Sequence, residues 1–206
     1  MLATVEKTRR TPISTKKNPS ALIYEEWNGT PIYYKGYKDV LAGRKTIEEI
    51  MSCSDLQGVL VSLINIFLGL TINRKKYLIA TNEIGLHLAK NDNLANDVVI
   101  FEKEKIGKLK GKFFDIAPKI VIEVDIKAEV SSFQNEETNY ILQKSQKILD
   151  FGTEKVVWIL TDSQKIFVID KNETKWYVVN WSEDIPLLDN CVLNIKQLLD
   201  EEDIQY

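Results

Sequence analysis

Along KIVIEVDIK, Lys119–Lys127, every second residue is apolar, and the residues between are polar except Val121. Ile120, Ile122, Val124 and Ile126 fall on one face and Val121, Glu123, Asp125 and Lys127 on the other, the period-2 signature of a β-strand. Weaker forms of the same signal predict strands at Tyr77–Thr81, Ile84–Leu88 and Val98–Phe101, and later at Val156–Leu160, Ile166–Ile169 and Trp176–Trp181. Helical signals separate these runs. Thr46 opens a short helix through Met51, with Glu48 and Glu49 in the first turn, where the helix dipole favours acids. Ser54 or Asp55 caps a second helix, LQGVLVSLINIFLGLTI, which is apolar almost all round and is therefore expected to be buried. A third covers roughly Thr138–Phe151 and stops at Gly152, and Asn194 with Gln197 makes a capping-box-like start to a last helix ending near Glu202. Leu22–Asp39, aromatic-rich around an Asn28-Gly29 pair, reads as an irregular hairpin or an arm on the body. A helix between the Lys119 and Val156 strands fits a crossover connection. The order therefore predicts an α/β protein with a mixed β-sheet flanked by helices.

On that frame a few charges are out of place. Glu123 and Asp125 share one strand face with Lys127, opposite a face that is pure core. Charges on such a strand are costly unless paired, solvated or bound to metal, so the row is a candidate divalent-metal site. On the Thr138–Phe151 helix, Asn139, Gln143, Gln146 and Asp150 group on a narrow polar face, while Lys144 falls inside the apolar arc, between Phe151 and Ile148, and Lys147 sits at its edge. A lysine amid an apolar helix face needs an anion or a route to solvent. Either Lys144 points toward the Glu123/Asp125 row or it snorkels past the sheet edge.

The run FEKEKIGKLKGKFF places Lys103, Lys105, Lys108, Lys110 and Lys112 between two strands. Clustered lysines bind phosphate backbones without reading sequence, and a solvated loop tip is the plain alternative. Trp27, Tyr33, Tyr34 and Tyr37 could stack on bases, but core packing or a contact with a second copy suits them better. Glu83 and His87 share one face of a strand run and are expected to be exposed.

Composition narrows the chemistry. The 206 residues suit one domain with a full core at 44% hydrophobic and 28% charged: residues 1–20 a polar, basic, turn-rich tail, and residues 21–206 the folded domain. A net charge of −3 leaves no global nucleic-acid footprint, so any such contact must be local. The two cysteines, Cys53 and Cys191, form no CxxC and fit a reduced, cytosolic protein. No apolar run reaches transmembrane length and the N-terminus lacks a signal-peptide core. A single histidine, His87, argues against a histidine-rich zinc site and leaves carboxylates and lysines to do any chemistry.

The segments NDVVIF, KIVIEVDIK, a lysine-bearing helix ending in ILDFG, and KVVWILT resemble, in order and spacing, the Uma-two family, which belongs to the PD-(D/E)XK restriction-endonuclease-like superfamily. The resemblance runs from about Leu22 to Leu199. It implies a restriction-endonuclease-like fold and a cytoplasmic, Mg²⁺- or Mn²⁺-dependent endonuclease that hydrolyses phosphodiester bonds of DNA. The family's metal-binding Asp at a strand start matches Asp97, with Asn96 in place of the usual Pro, and its strand Glu matches Glu123. The superfamily's lysine would stand two residues after that Glu, where this chain has Asp125; family members carry it on the following helix, matching Lys144 or Lys147. A second register takes Asp125-Ile126-Lys127 as the D-x-K triplet.

The resemblance thus implies Asp97, Glu123, Lys144 and Lys147 as catalytic residues and Asp97, Glu123 and Asp125 as metal ligands. Lys108, Lys110 and Lys112 are the expected nucleic-acid contacts, and DNA and a second copy of the chain the expected partners. The departures at Asn96 and Asp125 sustain an alternative: a catalytically inactive module that binds nucleic acid or protein on the same fold.

Overall fold

The computed structural model describes residues 19–206. The basic tail with Arg9, Arg10, Lys16 and Lys17 therefore lies outside the described residues, apart from Pro19 and Ser20, which begin a 3-10 turn. The chain then runs β1 (Ile23–Trp27), β2 (Thr30–Tyr33), α1 (Tyr37–Leu41), α2 (Ile47–Met51), α3 (Asp55–Thr71), β3 (Tyr77–Ala89), β4 (Asp92–Glu102), β5 (Ile120–Val124), α4 (Glu136–Phe151), β6 (Lys155–Leu160), β7 (Lys165–Asp170), β8 (Tyr177–Asn180), β9 (Ile185–Leu188), β10 (Cys191–Leu193) and α5 (Ile195–Glu201). The expected mixed sheet is present, in the order β2-β1-β4-β5-β6-β7-β8, with β3 also paired along β4. Only β5 and β6 are parallel, and α4 is the crossover that joins them.

The sheet has a core on each face. Leu60, Ile64 and Leu68 of α3 and Ile195, Leu198 and Leu199 of α5 cover one face, against Val98, Ile100, Ile120, Ile122 and Val124. Tyr140, Ile141, Ile148 and Leu149 of α4 cover the other, against Val99, Phe101, Val121 and Trp158. Glu123 alternates with Ile122 and Val124, so the pleat places it on the α4 side with Val121. Both faces of β5 are buried, which leaves Glu123 no water.

Capping follows the local chemistry. Thr46 and Glu49 form a full capping box, and Ser54, rather than Asp55, caps α3 by accepting from Gln57 N. Asn194 caps α5 through the backbone N–H of Gln197, whereas the Gln197 side chain turns forward to Glu201.

Three expectations change. The two runs Tyr77–Thr81 and Ile84–Leu88 are one strand interrupted by a bulge. α3 is not buried all round: Val59, Ile66 and Leu70 are 36%, 53% and 82% exposed, because the helix lays a single face on the sheet. The alternation of Lys119–Lys127 ends early. β5 stops at Val124, and Asp125 adopts a left-handed φ of 59°, so Asp125 and Lys127 do not continue the face of Glu123.

Candidate active site

Hydrogen bonds join β4 to β5 from Val98–Ile122 through Ile100–Ile120. Just beyond that ladder, side chains take over the pairing. Asp97 N donates to Glu123 Oε2 at 3.4 Å, and Val124 N donates to Asp97 Oδ2 at 2.9 Å. The two carboxylates are thereby locked side by side on neighbouring strands, at 4% and 1% exposure.

Lys144 reaches them from α4. Its Nζ lies 2.8 Å from Glu25 Oε1, 3.0 Å from Glu123 Oε1 and 2.7 Å from the carbonyl of Ala95, which it donates to. The contact with Glu123 is an ion pair without hydrogen-bond angles, so Glu123 Oε1 is buried with charge attraction as its only compensation. The rings of Trp158, Tyr24 and Tyr140 surround the ammonium at 5.4, 5.7 and 5.9 Å. The electrostatics follow from this burial. Desolvation pushes the Glu123 carboxyl up to about 8; Lys144 opposes that shift, and Asp97 and Glu25 add to it. For Lys144 desolvation works downward, but Glu123 and Glu25 outweigh it and hold the ammonium charged well above its ordinary range.

Glu25 is a site residue that the sequence reading missed. It shares a face of β1 with Ile23 and Trp27, and an acid on such an apolar strand face is the signal that could have found it. Tyr140 Oη and Trp27 Nε1 donate to its Oε2 at 3.0 and 2.9 Å, and Ala95 N donates to Oε1 at 3.1 Å. Gln57 is a second omission: it is buried within apolar α3 and donates to the carbonyl of Val124 at 2.6 Å.

The remaining candidates separate. Lys147, about one helical turn beyond Lys144, pairs with Asp92 at 2.8 Å rather than with Asp97 or Glu123; Asp92 opens β4, five residues before Asp97. Asp125 turns away: its Oδ1 and Oδ2 accept the backbone N–H and the hydroxyl of Thr161, each at 2.7 Å. Those bonds cap the end of β6 and spend the Asp125 carboxylate there, so the structure does not bring it to Asp97 and Glu123. Lys127 meets Glu83 at 2.8 Å and Asp97 at 3.3 Å. Glu83 is half-buried, not exposed, whereas His87 is solvent-facing and bonds Asn93. Trp27 and Tyr34 are core residues and have no ring face to offer a base.

A cavity of about 430 Å³ opens onto this cluster. Asp97, Lys127, Glu83 and Asn82 line it on one side, and Cys53 and Gln57 at the start of α3 on the other. Lys108, Lys110 and Lys112 lie on an exposed loop that also lines a hollow of about 440 Å³ with Leu109 and Phe113. Phe114 ties this loop to the outer edge of β3, donating to Gly85 O and accepting from His87 N. Phe113 covers Gly85 so closely that a Cβ there would stand 2.3 Å from its ring, so only glycine admits this contact.

No protein-family model and no curated protein matches the chain. Among solved structures, it is similar to one described as a "putative nuclease belonging to DUF820" from Anabaena variabilis, at 19% identity and a TM-score of 0.57, over 85% of this chain and 89% of that one. The two chains share a fold. No helix among the described residues is long and apolar enough to cross a membrane.

Proposed function

We propose that this protein is a nuclease that hydrolyses phosphodiester bonds of DNA with the help of Mg²⁺ or Mn²⁺, on a restriction-endonuclease-like fold. The observation that carries the reading is the pairing of Asp97 and Glu123 beside a cavity, on two strands that stop pairing there. The fold shared with a described nuclease supports it.

The donor chemistry fits a hard divalent cation. Four carboxyl groups, Glu25, Glu83, Asp97 and Glu123, meet two ammonium groups, Lys127 and Lys144, and once Glu123 has lost its proton the excess of negative charge is one that a divalent ion would balance. Glu123 Oε1 is buried with no hydrogen bond and only the Lys144 ammonium beside it, so it keeps acceptor capacity that a metal ion would use. Among the described residues no three His, Cys, Asp or Glu side chains converge at ligand spacing. Asp97 and Glu123 would therefore hold the ion as a pair, a number that suits Mg²⁺, which keeps much of its shell for water and phosphate oxygen. Bound there, the metal would supply an activated water and charge stabilisation at the phosphorus. The protein's own part is positional. Val124 N and Lys127 fix Asp97, Lys144 fixes Glu123, and Glu25, clamped by Tyr140, Trp27 and the Ala95 amide, fixes Lys144. Lys108, Lys110 and Lys112, on the loop held to β3, are the proposed contacts to the DNA backbone.

Purified protein incubated with plasmid and oligonucleotide DNA, with and without Mn²⁺, is the direct test. Metal-dependent cleavage that Asp97→Asn and Glu123→Ala abolish is expected. Absence of cleavage by the wild-type protein, or unchanged cleavage by both variants, sinks the reading. The near-complete burial of Glu123 favours a second reading, a binding module without catalysis, and DNA binding that ignores metal and survives both substitutions would establish it.

A further inference from the structure

Two ammonium groups serve the carboxylate pair, and they differ in access. Lys144 is 1% exposed, and Glu25, Glu123 and the Ala95 carbonyl enclose its ammonium at 2.8, 3.0 and 2.7 Å. It lines no part of the cavity at Asp97. Lys127 does line that cavity, and its ammonium meets two acceptors, Glu83 Oε1 at 2.8 Å and Asp97 Oδ1 at 3.3 Å. Among the described residues no third acceptor meets it, so one N–H remains for a ligand.

Glu83 is set in place by unusual backbone. Asn82 and Glu83 have φ of 77° and 53°, a left-handed pair of non-glycine residues, at the point where β3 bulges against β4 between Thr81 and Ile84. The bulge directs Glu83 at Lys127, and Tyr34 Oη donates to its other oxygen at 3.3 Å. Two partners thus pin a side chain that strand alternation would have aimed elsewhere.

We propose that Lys127, clasped by Glu83 at the mouth of the Asp97 cavity, is the group that receives a non-bridging oxygen of a bound phosphodiester, and that Glu83 is its positioning residue. The inference rests on the nuclease reading and assigns the substrate-facing cation within it. Lys144, enclosed on all sides, is left to hold Glu123.

The test is binding of a fluorescein-labelled oligodeoxynucleotide, measured by anisotropy in Ca²⁺ over a series of salt concentrations. Lys127→Met should weaken binding by about tenfold and lower the salt slope by about one, the loss of one phosphate contact. Lys127→Arg should restore most of both. Glu83→Gln loosens the clasp that positions the ammonium and should weaken binding severalfold while leaving the salt slope unchanged, since the charge of Lys127 remains. A merely structural ion pair predicts the reverse: Lys127→Met and Glu83→Gln would lower the melting temperature alike and leave the salt slope alone. Should Lys127→Met fold poorly, the double variant Glu83→Gln/Lys127→Gln removes both charges together and is read the same way. Unchanged affinity and slope in a folded Lys127 variant overturns this inference alone. Wild-type protein that binds no oligonucleotide overturns it together with the nuclease reading. Inorganic phosphate competing as well as the oligonucleotide would also overturn it, since the site would then take a free anion and not a phosphodiester.

Discussion

Glu123 is buried with one imperfect ion pair, and that makes its protonation a lever on the stability of the whole domain. Burial first, then the charges of Asp97 and Glu25, carries its pKa from 4.5 to about 8 against the pull of Lys144. Below pH 4.5 the carboxyl is neutral in both the folded and the unfolded chain. Between 4.5 and about 8 the unfolded chain has released its proton and the folded chain keeps it, so the native state binds more protons and stability falls as pH rises. At about 1.4 kcal/mol per pKa unit, the loss is at most roughly 5 kcal/mol and is complete above about pH 8. Glu123→Gln keeps the volume and the neutral polarity and removes the titration. Wild type and variant should therefore diverge in melting temperature between pH 5 and 8.5 in EDTA, with the variant gaining on the order of 10 °C relative to wild type. Lys144 stays charged throughout, so its altered pairing in the variant shifts the offset and not the slope. Adding Mg²⁺ at pH 8 should then raise the wild-type melting temperature and leave the variant unmoved, because only the ionised carboxylate holds the ion. A melting-temperature difference that stays constant from pH 5 to 8.5 would refute the burial argument.

Other perturbations probe the neighbouring parts. Lys144→Met leaves Glu25 and Glu123 buried without a cation and should cost about 3–5 kcal/mol in denaturant unfolding, whereas Lys147→Met, which strips the cation from the buried Asp92 but removes a partly exposed lysine, should cost less, about 1–3 kcal/mol. Asp125→Ala should lose about 1–2 kcal/mol with the two Thr161 bonds and yet keep the Mg²⁺-dependent rise in melting temperature, which separates a structural carboxylate from a ligand. Replacing Lys108, Lys110 and Lys112 together with Ala should reduce the salt slope of duplex binding by up to about 3, and an unchanged slope would return that loop to the role of a solvated tip.

Local pattern was enough to recover much of the architecture. Strict alternation around Glu123, an apolar α3, Gly152 closing α4 and the helix between β5 and β6 led to the mixed sheet flanked by helices, because periodicity and capping are properties of near neighbours. The anomaly of Lys144 was legible too, since a charge within an apolar helical arc conflicts with its surroundings whatever the fold. What it pairs with was not legible. Glu25 stands 119 residues before it in the chain and reaches it only because β1 docks on β4 at Glu26–Asn93.

Alternation alone determined that Glu123 faces away from Ile122 and Val124, and composition determined that carboxylates and lysines were the available chemistry. Only the tertiary structure decided which of them share a site. One left-handed residue, Asp125, ended the strand and sent its carboxylate to Thr161, and a bulge of two left-handed residues in β3 brought Glu83 to Lys127. Asn82 and Asp125 are residue types that tolerate a left-handed φ, but a local preference for a turn carries no signal of which distant partner the side chains there will meet.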